Sequence, residues 1–278
     1  MKTLAQTRLA VPAVAALAVC ALGSSALANF NYSDFSTTAG LNMVGVAKQD
    51  ADRILVTPSI GASAGAVWAV QKQNISHGFD AYMTIHIEDL QGIGADGMAL
   101  VIQNSAVDAL GGGGGAIGYG TNPTFGLAGI ENSIAVAFDM WDNNANWPEP
   151  GNNHVTVQTR GLLQNSPELA YSLGNAATPD LSDGANHYIH VNYTPGIMSV
   201  YLDNALTPTL QVAVDIGSLL SLDNGQAWVG VTAATGGPWN AQAHVLDSFA
   251  FSGCPVPTPG TAGLMALGGL VGFRRRRN

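Results

Sequence analysis

Residues 134–143, with the sequence IAVAFDMWDN, are the stretch that decides the fold. The apolar run 134–138 has the alternation of a buried β-strand. At Asp139 the chain becomes polar and rich in Asp and Asn, a composition typical of an irregular turn after a strand. The stretch therefore predicts a buried strand that delivers carboxylate and amide oxygens to one edge of a sheet.

Short segments with the same strand-like alternation recur on both sides of this stretch. They are residues 82–87, 154–157, 187–193, 198–202, 227–232 and 245–251. Turn-forming residues separate several of them, at 194–196, 203–204 and 223–225. Residues 29–253 contain no helix-length stretch with a sustained 3.6-residue apolar period. Many short strands without βαβ alternation predict an all-β fold, an antiparallel β-sandwich.

Both ends of the chain have the composition of targeting segments. Residues 1–28 combine two basic residues, an apolar run and a final Ala-Leu-Ala, which predicts a secretory signal peptide. Residues 254–278 combine a Pro-rich spacer, four arginines and an apolar run at 260–273, which is shorter than the about 20 residues of a comfortable membrane span. We therefore expect an exported protein with one domain at 29–253. Cys254 is then the only remaining cysteine, which excludes an intrachain disulfide.

The predicted domain is strongly acidic. The chain has 10 basic and 19 acidic residues, and six of the basic residues lie in the two end segments. Because such a domain repels phosphates, the sequence excludes nucleic acid and anionic membranes as partners. Cation binding or a soluble exported surface both remain compatible with this charge.

Several segments beside the decisive stretch carry a family pattern. An acidic loop enters an apolar strand at 95–104, and five consecutive glycines at 111–115 predict a loop in which the backbone approaches a neighbour closely. The other segments are 199–203 (SVYLD), 230–236 (GVTAATG) and 244–249 (HVLDSF). Taken together and in this order, they resemble the L-type (legume) lectin family over residues 29–253. The resemblance implies a concanavalin A-like jelly roll that binds a glycan with the help of calcium.

The resemblance assigns the calcium ligands. They are Asp139, Trp141 through its carbonyl, Asn143 and Glu149, with His154 as a nitrogen ligand. Such oxygen donors are what Ca²⁺ requires, although an Asx-rich turn that caps a strand has the same composition. For His154 the sequence favours a polar residue that begins a strand over a metal ligand. Plant members have Asp where this chain has Glu149, in a loop one residue shorter. They also have Glu where this chain has Ala137, so the resemblance implies an absent or crippled manganese site.

The resemblance also assigns the sugar-binding groups. A saccharide site combines a carboxylate or amide, backbone N–H donors and an aromatic platform. The implied set is Asp96 after a cis Ala95–Asp96 peptide, Asn143, an amide among Gly113, Gly114 and Gly115, and the loop that holds Gly237 and Trp239. Trp239 could stack on a sugar or pack against the rim of the sandwich, and Tyr119 is a weaker candidate.

The sequence favours binding over catalysis. Glycoside hydrolases of this fold usually carry Glu-x-Asp-x-x-Glu on one strand, and none of the four glutamates of the domain lies in that pattern. A structural matrix protein with a degenerate sugar site and, less favoured, a glycoside hydrolase remain as alternatives. The tail resembles the PEP-CTERM sorting signal, with Pro257-Thr258-Pro259 in place of Pro-Glu-Pro. It implies processing by an exosortase and a place at the cell surface or in an extracellular polysaccharide matrix, where a homodimer would add avidity.

Overall fold

The computed structural model describes residues 29–143 and 149–254. The predicted signal peptide and the predicted tail beyond Cys254 lie outside these residues. Cys254 itself hydrogen-bonds to the domain, through its backbone N–H to the Gly78 carbonyl and through its carbonyl to the Asn74 amide.

The described residues form sixteen strands and very little helix. The strands are β1 (Phe30–Tyr32), β2 (Leu41–Gly45), β3 (Lys48–Asp50), β4 (Arg53–Thr57), β5 (Ala64–Ala69), β6 (Gln73–Asn74), β7 (Phe79–Gln91), β8 (Gly97–Gln103), β9 (Ser133–Asp139), β10 (His154–Thr159), β11 (Ser172–Ala177), β12 (His187–Thr194), β13 (Gly196–Leu202), β14 (Leu210–Val214), β15 (Gln226–Ala234) and β16 (Ala241–Gly253). One short helix, α1 (Ile216–Leu219), and 3₁₀ turns at Gly114–Ala116, Pro123–Phe125 and Leu169–Tyr171 complete the elements. Each alternating segment predicted from sequence lies on one of these strands.

Two antiparallel sheets make up the sandwich. The back sheet has the order β14-β13-β12-β7-β16-β4-β3, with β1 paired to β16. The front sheet has the order β11-β10-β9-β8-β15-β5-β2, with β6 paired to β15. Most neighbours in each sheet are distant in sequence, as in a jelly roll. The predicted fold class, an all-β antiparallel sandwich, is confirmed.

The main core lies between the sheets, because alternate residues of each strand point inward. On β7 the inward set includes Phe79, Met83 and Ile85, which meet Phe249 and Phe251 of β16. Burial of each such side chain contributes about 1.5–3 kcal/mol. This periodicity is the reason that the strand segments could be predicted from the sequence.

A second apolar layer covers the outer face of the front sheet. Every residue of β8 and β9 is buried, since Ile117, Tyr119 and Ile130 pack on the outward side chains of these two strands. The covering segment, residues 105–132, contains the glycine loop. It therefore holds that loop against the end of the front sheet. No helix among the described residues is long and apolar enough to cross a membrane.

Candidate functional site

Four loops meet at one end of the front sheet and enclose a cleft of about 600 Å³. They precede β8, follow β9, follow β15 and carry the glycine run. The predicted residues that line the cleft are Asp96, Gly113, Gly114, Gly115, Trp141, Asn143 and Gly237. The fold thus brings together in space groups that the sequence separates by more than a hundred positions.

Asp96 is held at the floor of this cleft by its backbone. The Ala95–Asp96 peptide is cis, as the resemblance implies. The Asp96 N–H donates to the Ala234 carbonyl (3.0 Å), and the Asp96 carbonyl accepts from the Met140 N–H (2.8 Å). These bonds tie Asp96 to the ends of β15 and β9, so its carboxyl, which is only 2 % exposed, has a fixed position.

Beneath the cleft lies a compact cluster of Asp139, Glu149 and His154. One ligand atom of each lies within 4.8 Å of the other two, and all three residues are buried. Strand pairing produces part of this arrangement, because Asp139 at the end of β9 lies directly opposite His154 at the start of β10. His154 therefore begins a strand, and its ring lies beside the two carboxyls of the cluster.

The hydrogen bond of His154 selects the ring nitrogen that can bind a cation. Its Nδ1 lies 2.7 Å from the Gly151 carbonyl, which can only accept, so Nδ1 carries the proton. Nε2 is then left with a free lone pair. Burial lowers the pKa of His154, which favours the neutral ring. A ligand histidine in proteins commonly has this arrangement.

Burial raises the pKa of three carboxyl groups in and beside this cluster. Burial, and next the charge of Glu149, raise the pKa of Asp139 well above its usual value. Burial raises the pKa of Glu149 to about 7 and that of Asp96 to about 7. Among the ion pairs of the described residues, none includes Asp96 or Asp139. A buried cation would relieve all three groups.

The loop after β9 wraps around these carboxyls. The Trp141 N–H donates to Asp139 Oδ1 (3.0 Å), and the Asn143 N–H donates to Glu149 Oε1. Asn143 faces Asp96, close enough for its amide to lower the Asp96 pKa against the effect of burial. Yet neither Asp96 Oδ2 nor Asn143 Nδ2 has a hydrogen-bond partner within 3.5 Å among residues 29–143 and 149–254. Buried polar atoms without a partner are costly, so this floor suits a polar ligand.

The donor set of the cluster fits calcium. Carboxylate, amide and carbonyl oxygens are the ligands that Ca²⁺ prefers. Ala137, where a manganese ligand would stand, is fully buried in the apolar layer with Ala99 and Ala135. Tyr119 belongs to the same layer, and its buried hydroxyl has no hydrogen-bond partner in the described part of the chain. This tyrosine therefore packs beneath the cleft and does not line it.

The glycine run has more structure than a plain loop. The run was predicted as a loop, and Gly114–Ala116 within it is a 3₁₀ turn. The close approach is present at Gly111, where a Cβ would lie 2.5 Å from the backbone carbon of Tyr119. The Gly114 N–H donates to the Thr235 carbonyl (3.2 Å). Among the hydrogen bonds of the described residues, neither Gly113 nor Gly115 donates its amide, which leaves these two for a ligand.

Trp239 has the exposure of a stacking residue but lies beside the cleft. Its side chain is 82 % exposed, so it does not pack against the rim. Its neighbours Pro238 and Asn240 line the cleft, whereas Trp239 does not. Any contact of Trp239 with a ligand would therefore involve a part of the ligand that extends beyond the cleft.

Sequence reasoning missed several residues of the cleft, among them Asn122, Phe125 and Leu127. Asn122 donates to the Gly113 carbonyl (2.8 Å), and its Oδ1 is buried without a partner. Phe125 is 72 % exposed and supplies an aromatic surface at the mouth. Asn122-Pro123 is a turn signal that could have indicated a loop here, but nothing in the sequence distinguishes Phe125.

Residues 61–65 match the nucleophile pattern Gly-x-Ser-x-Gly, which sequence reasoning overlooked. That pattern needs a turn from a strand into a helix and a histidine beside the serine. Ser63 instead leads into strand β5 and is buried, and no histidine among the described residues hydrogen-bonds to it. The match therefore carries no catalytic arrangement.

Comparison with known proteins gives a consistent set of similarities. A family model described as the legume lectin beta-barrel domain matches residues 30–248. Human ERGIC-53 is 26 % identical over 218 residues, which are 74 % of this chain and 38 % of that protein. The rat protein gives the same identity over 37 % of its length. The chain thus spans less than half the length of these relatives.

Solved structures share the fold at low sequence identity. Peanut lectin superimposes with a TM-score of 0.67 at 22 % identity, over 82 % of this chain and 98 % of that one. The Bauhinia forficata lectin in complex with GalNAc gives 0.65 at 22 % over 80 % and 96 %. The exoplasmic/lumenal domain of VIP36, in a Ca²⁺- and Man3GlcNAc-bound form, gives 0.62 at 14 % over 83 % and 91 %.

Proposed function

The chain belongs to the legume-type lectin domain family, and from this premise we propose that it is a calcium-dependent carbohydrate-binding protein. The observation that carries the proposal is the position of the Asp139–Glu149–His154 cluster directly behind the cleft. Asn143 connects the two, because its backbone bonds to Glu149 while its side chain faces Asp96 in the cleft floor. A cation in the cluster would therefore fix the groups that meet the ligand.

Calcium would be held by the Asp139 and Glu149 carboxylates, the Asn143 amide oxygen and the Trp141 carbonyl, with His154 at the same cluster. When bound, it supplies a positive charge beside these buried carboxyls. Coordination through the Asn143 oxygen would turn its Nδ2 toward the ligand. The related VIP36 domain was obtained with Ca²⁺ and a mannose-containing glycan, which supports this choice of metal and ligand class.

The cleft has the chemistry that a saccharide requires. An ionised Asp96 accepts hydrogen bonds from sugar hydroxyls, and the amides of Asn143 and of Gly113 or Gly115 donate to them. Phe125 and Trp141 offer apolar surfaces to the CH faces of the ring. A volume of about 600 Å³ accommodates a mono- or disaccharide, with Trp239 outside it for a longer chain.

We further propose that the protein acts outside the cell. This rests on the sequence of residues 1–28 and 255–278, which lie outside the described residues. A glycan or exopolysaccharide is the proposed partner there, and an exosortase the proposed processing enzyme. Homodimer formation and the absence of enzymatic activity stay predictions.

The test is a glycan array probed with the purified protein in millimolar calcium and again in chelator. We expect binding in calcium that is lost in chelator and in an Asp96→Asn variant, which keeps the shape of the side chain. Asp108→Asn is the matched control, since Asp108 is exposed and outside the cleft. A folded protein that binds no glycan in calcium would favour a structural matrix protein with a degenerate site.

A further inference from the structure

The outer face of the back sheet carries three stacked rings on neighbouring strands. Tyr82 of β7, His190 of β12 and Tyr201 of β13 lie opposite one another in the strand register. The Tyr82 and His190 rings are 4.3 Å apart with a 9° angle between their planes, and the His190 and Tyr201 rings are 5.2 Å apart at 16°. The rings form a continuous row across the sheet, on the side opposite the cleft.

Hydrogen bonds hold this row in place. His190 Nε2 lies 2.7 Å from Asp80 Oδ1, which also accepts from the Asn192 amide (2.9 Å). The middle ring is thus fixed between its two neighbours and by a carboxylate. Because these side chains are already ordered in the free protein, they lose little conformational entropy when a ligand binds.

A groove of about 480 Å³ runs beside the row of rings. Its other side is formed by Tyr188, Thr84 and Ser248, and the turn after β13 closes one end with Asn204 and Leu206. Tyr82 and Tyr188 are each about half exposed, and Leu206 is 99 % exposed. The Ser248 hydroxyl donates to Thr84 Oγ1 (2.8 Å), so hydroxyl groups line the groove next to aromatic carbon.

The lining selects a neutral, hydroxyl-rich ligand. The groove is lined by aromatic rings, by Tyr, Thr and Ser hydroxyls and by the Asn204 amide. Among the described residues, no lysine, arginine, aspartate or glutamate lines it. Asp80 and Asp203 flank it, in a chain that has 19 acidic residues, so an anionic polymer is disfavoured. The volume lies within the usual range of small-ligand sites, about 300–1,000 Å³. A protein partner would instead require a far larger complementary surface.

We propose that this groove is a second carbohydrate-binding site, which takes a neutral oligosaccharide segment without calcium. It goes beyond the function proposed for the cleft and shares no residue with it. Because the two sites lie on opposite sheets, one molecule could hold two glycan chains, or two segments of one chain, and cross-link a polysaccharide.

The test is affinity gel electrophoresis in chelator, with dextran, galactomannan and mixed-linkage β-glucan in the gel and alginate as the anionic comparison. We expect retardation by at least one neutral polymer and none by alginate. Tyr82→Ala and Tyr188→Ala should each weaken it about tenfold, a loss that corresponds to about 1.4 kcal/mol. Ile197→Ala is the matched control, because Ile197 is half exposed on the same strand face as Tyr201 but outside the groove.

Asp96→Asn should leave the retardation in chelator unchanged, which separates this site from the cleft. If the wild-type protein shows no calcium-dependent binding on the array but is still retarded in chelator, only the function proposed for the cleft is refuted. No retardation by any neutral polymer, or equal retardation of both tyrosine variants and wild type, would overturn the groove proposal. So would a dimer in light scattering that Tyr188→Ala converts to monomer, since the groove would then bind a second copy of this chain.

Discussion

Calcium should raise the thermal stability of the protein, and replacing Asp139 by Asn should remove most of that rise. In the calcium-free fold, burial raises the pKa of Asp139 well above its usual value. At neutral pH this carboxyl therefore costs folding free energy that a neutral Asn does not. The Asn oxygen can still accept the Trp141 N–H, which Asp139 Oδ1 accepts in wild type at 3.0 Å. The variant should consequently be at least as stable as wild type in chelator.

In calcium the order should be the opposite. Extracellular calcium modules bind with a Kd of about 0.1–1 mM. At about 10 mM calcium, binding to the folded state alone adds roughly 1.4–2.7 kcal/mol of stability. In a domain of this size that corresponds to a rise in Tm of about 3–10 °C. Loss of one of two carboxylate ligands should remove most of the rise.

Differential scanning calorimetry in calcium and in chelator measures both effects. Asp108→Asn serves as the control and should shift as wild type does, because Asp108 is exposed and outside the cluster. A wild-type Tm that calcium does not change would refute the reasoning. So would an Asp139→Asn variant with the full shift, because the cation would then bind elsewhere.

Three further predictions concern acid, calcium and the glycine loop. Burial lowers the pKa of His244 to about 3, so from about pH 6.5 downward only the unfolded chain binds this proton, and the free energy of unfolding falls by up to ~1.4 kcal/mol per pH unit. His244→Gln should reduce this pH dependence in urea titrations. An unchanged pH dependence would contradict the prediction. Burial raises the pKa of Glu149 to about 7 in the calcium-free protein. Because this carboxyl must lose its proton to bind the cation, calorimetry should find weaker calcium binding at about pH 6 than at about pH 8. Binding that does not change with pH would exclude Glu149 as a ligand. Gly113 has φ −78° and room for a Cβ, whose nearest neighbour would be 3.8 Å away. Gly113→Ala should therefore change the free energy of unfolding by less than about 0.5 kcal/mol but weaken glycan binding in the cleft. An unchanged glycan affinity would show that Gly113 does not belong to the site.

The fold was predictable because strand alternation and turn chemistry are local signals. Residues 187–193 and 198–202 alternate because one face of the back sheet meets the core, and Pro195 lies in the turn between their strands. The double burial of β9 was also visible, as an apolar run without polar interruption. The covering segment 105–132 was not, because its apolar residues have no period and acquire their role only by packing on the front sheet.

Much of the candidate site followed from the family pattern, whereas the remainder depends on tertiary packing. Asp96, Asn143 and the glycine run were found because they stand at recognisable strand ends and turns. Phe125 is a single aromatic residue in a loop, and only the folded chain brings it to the cleft. The groove was hidden for a different reason: outward Tyr82 and Tyr188 read as ordinary members of an alternating strand, and their proximity depends on the register of β7 and β12.

The central claim is that calcium and glycan bind as a coupled pair, and the most direct test is to measure calcium affinity with and without the glycan. Isothermal titration of calcium should be performed alone and at saturation with the strongest ligand of the array. By thermodynamic reciprocity, glycan should tighten calcium binding by the same factor by which calcium tightens glycan binding, about 5- to 150-fold for a coupling of typical strength. An equal calcium affinity in both titrations, with the glycan bound, would contradict the account, because the cluster behind the cleft would then have no influence on the ligand.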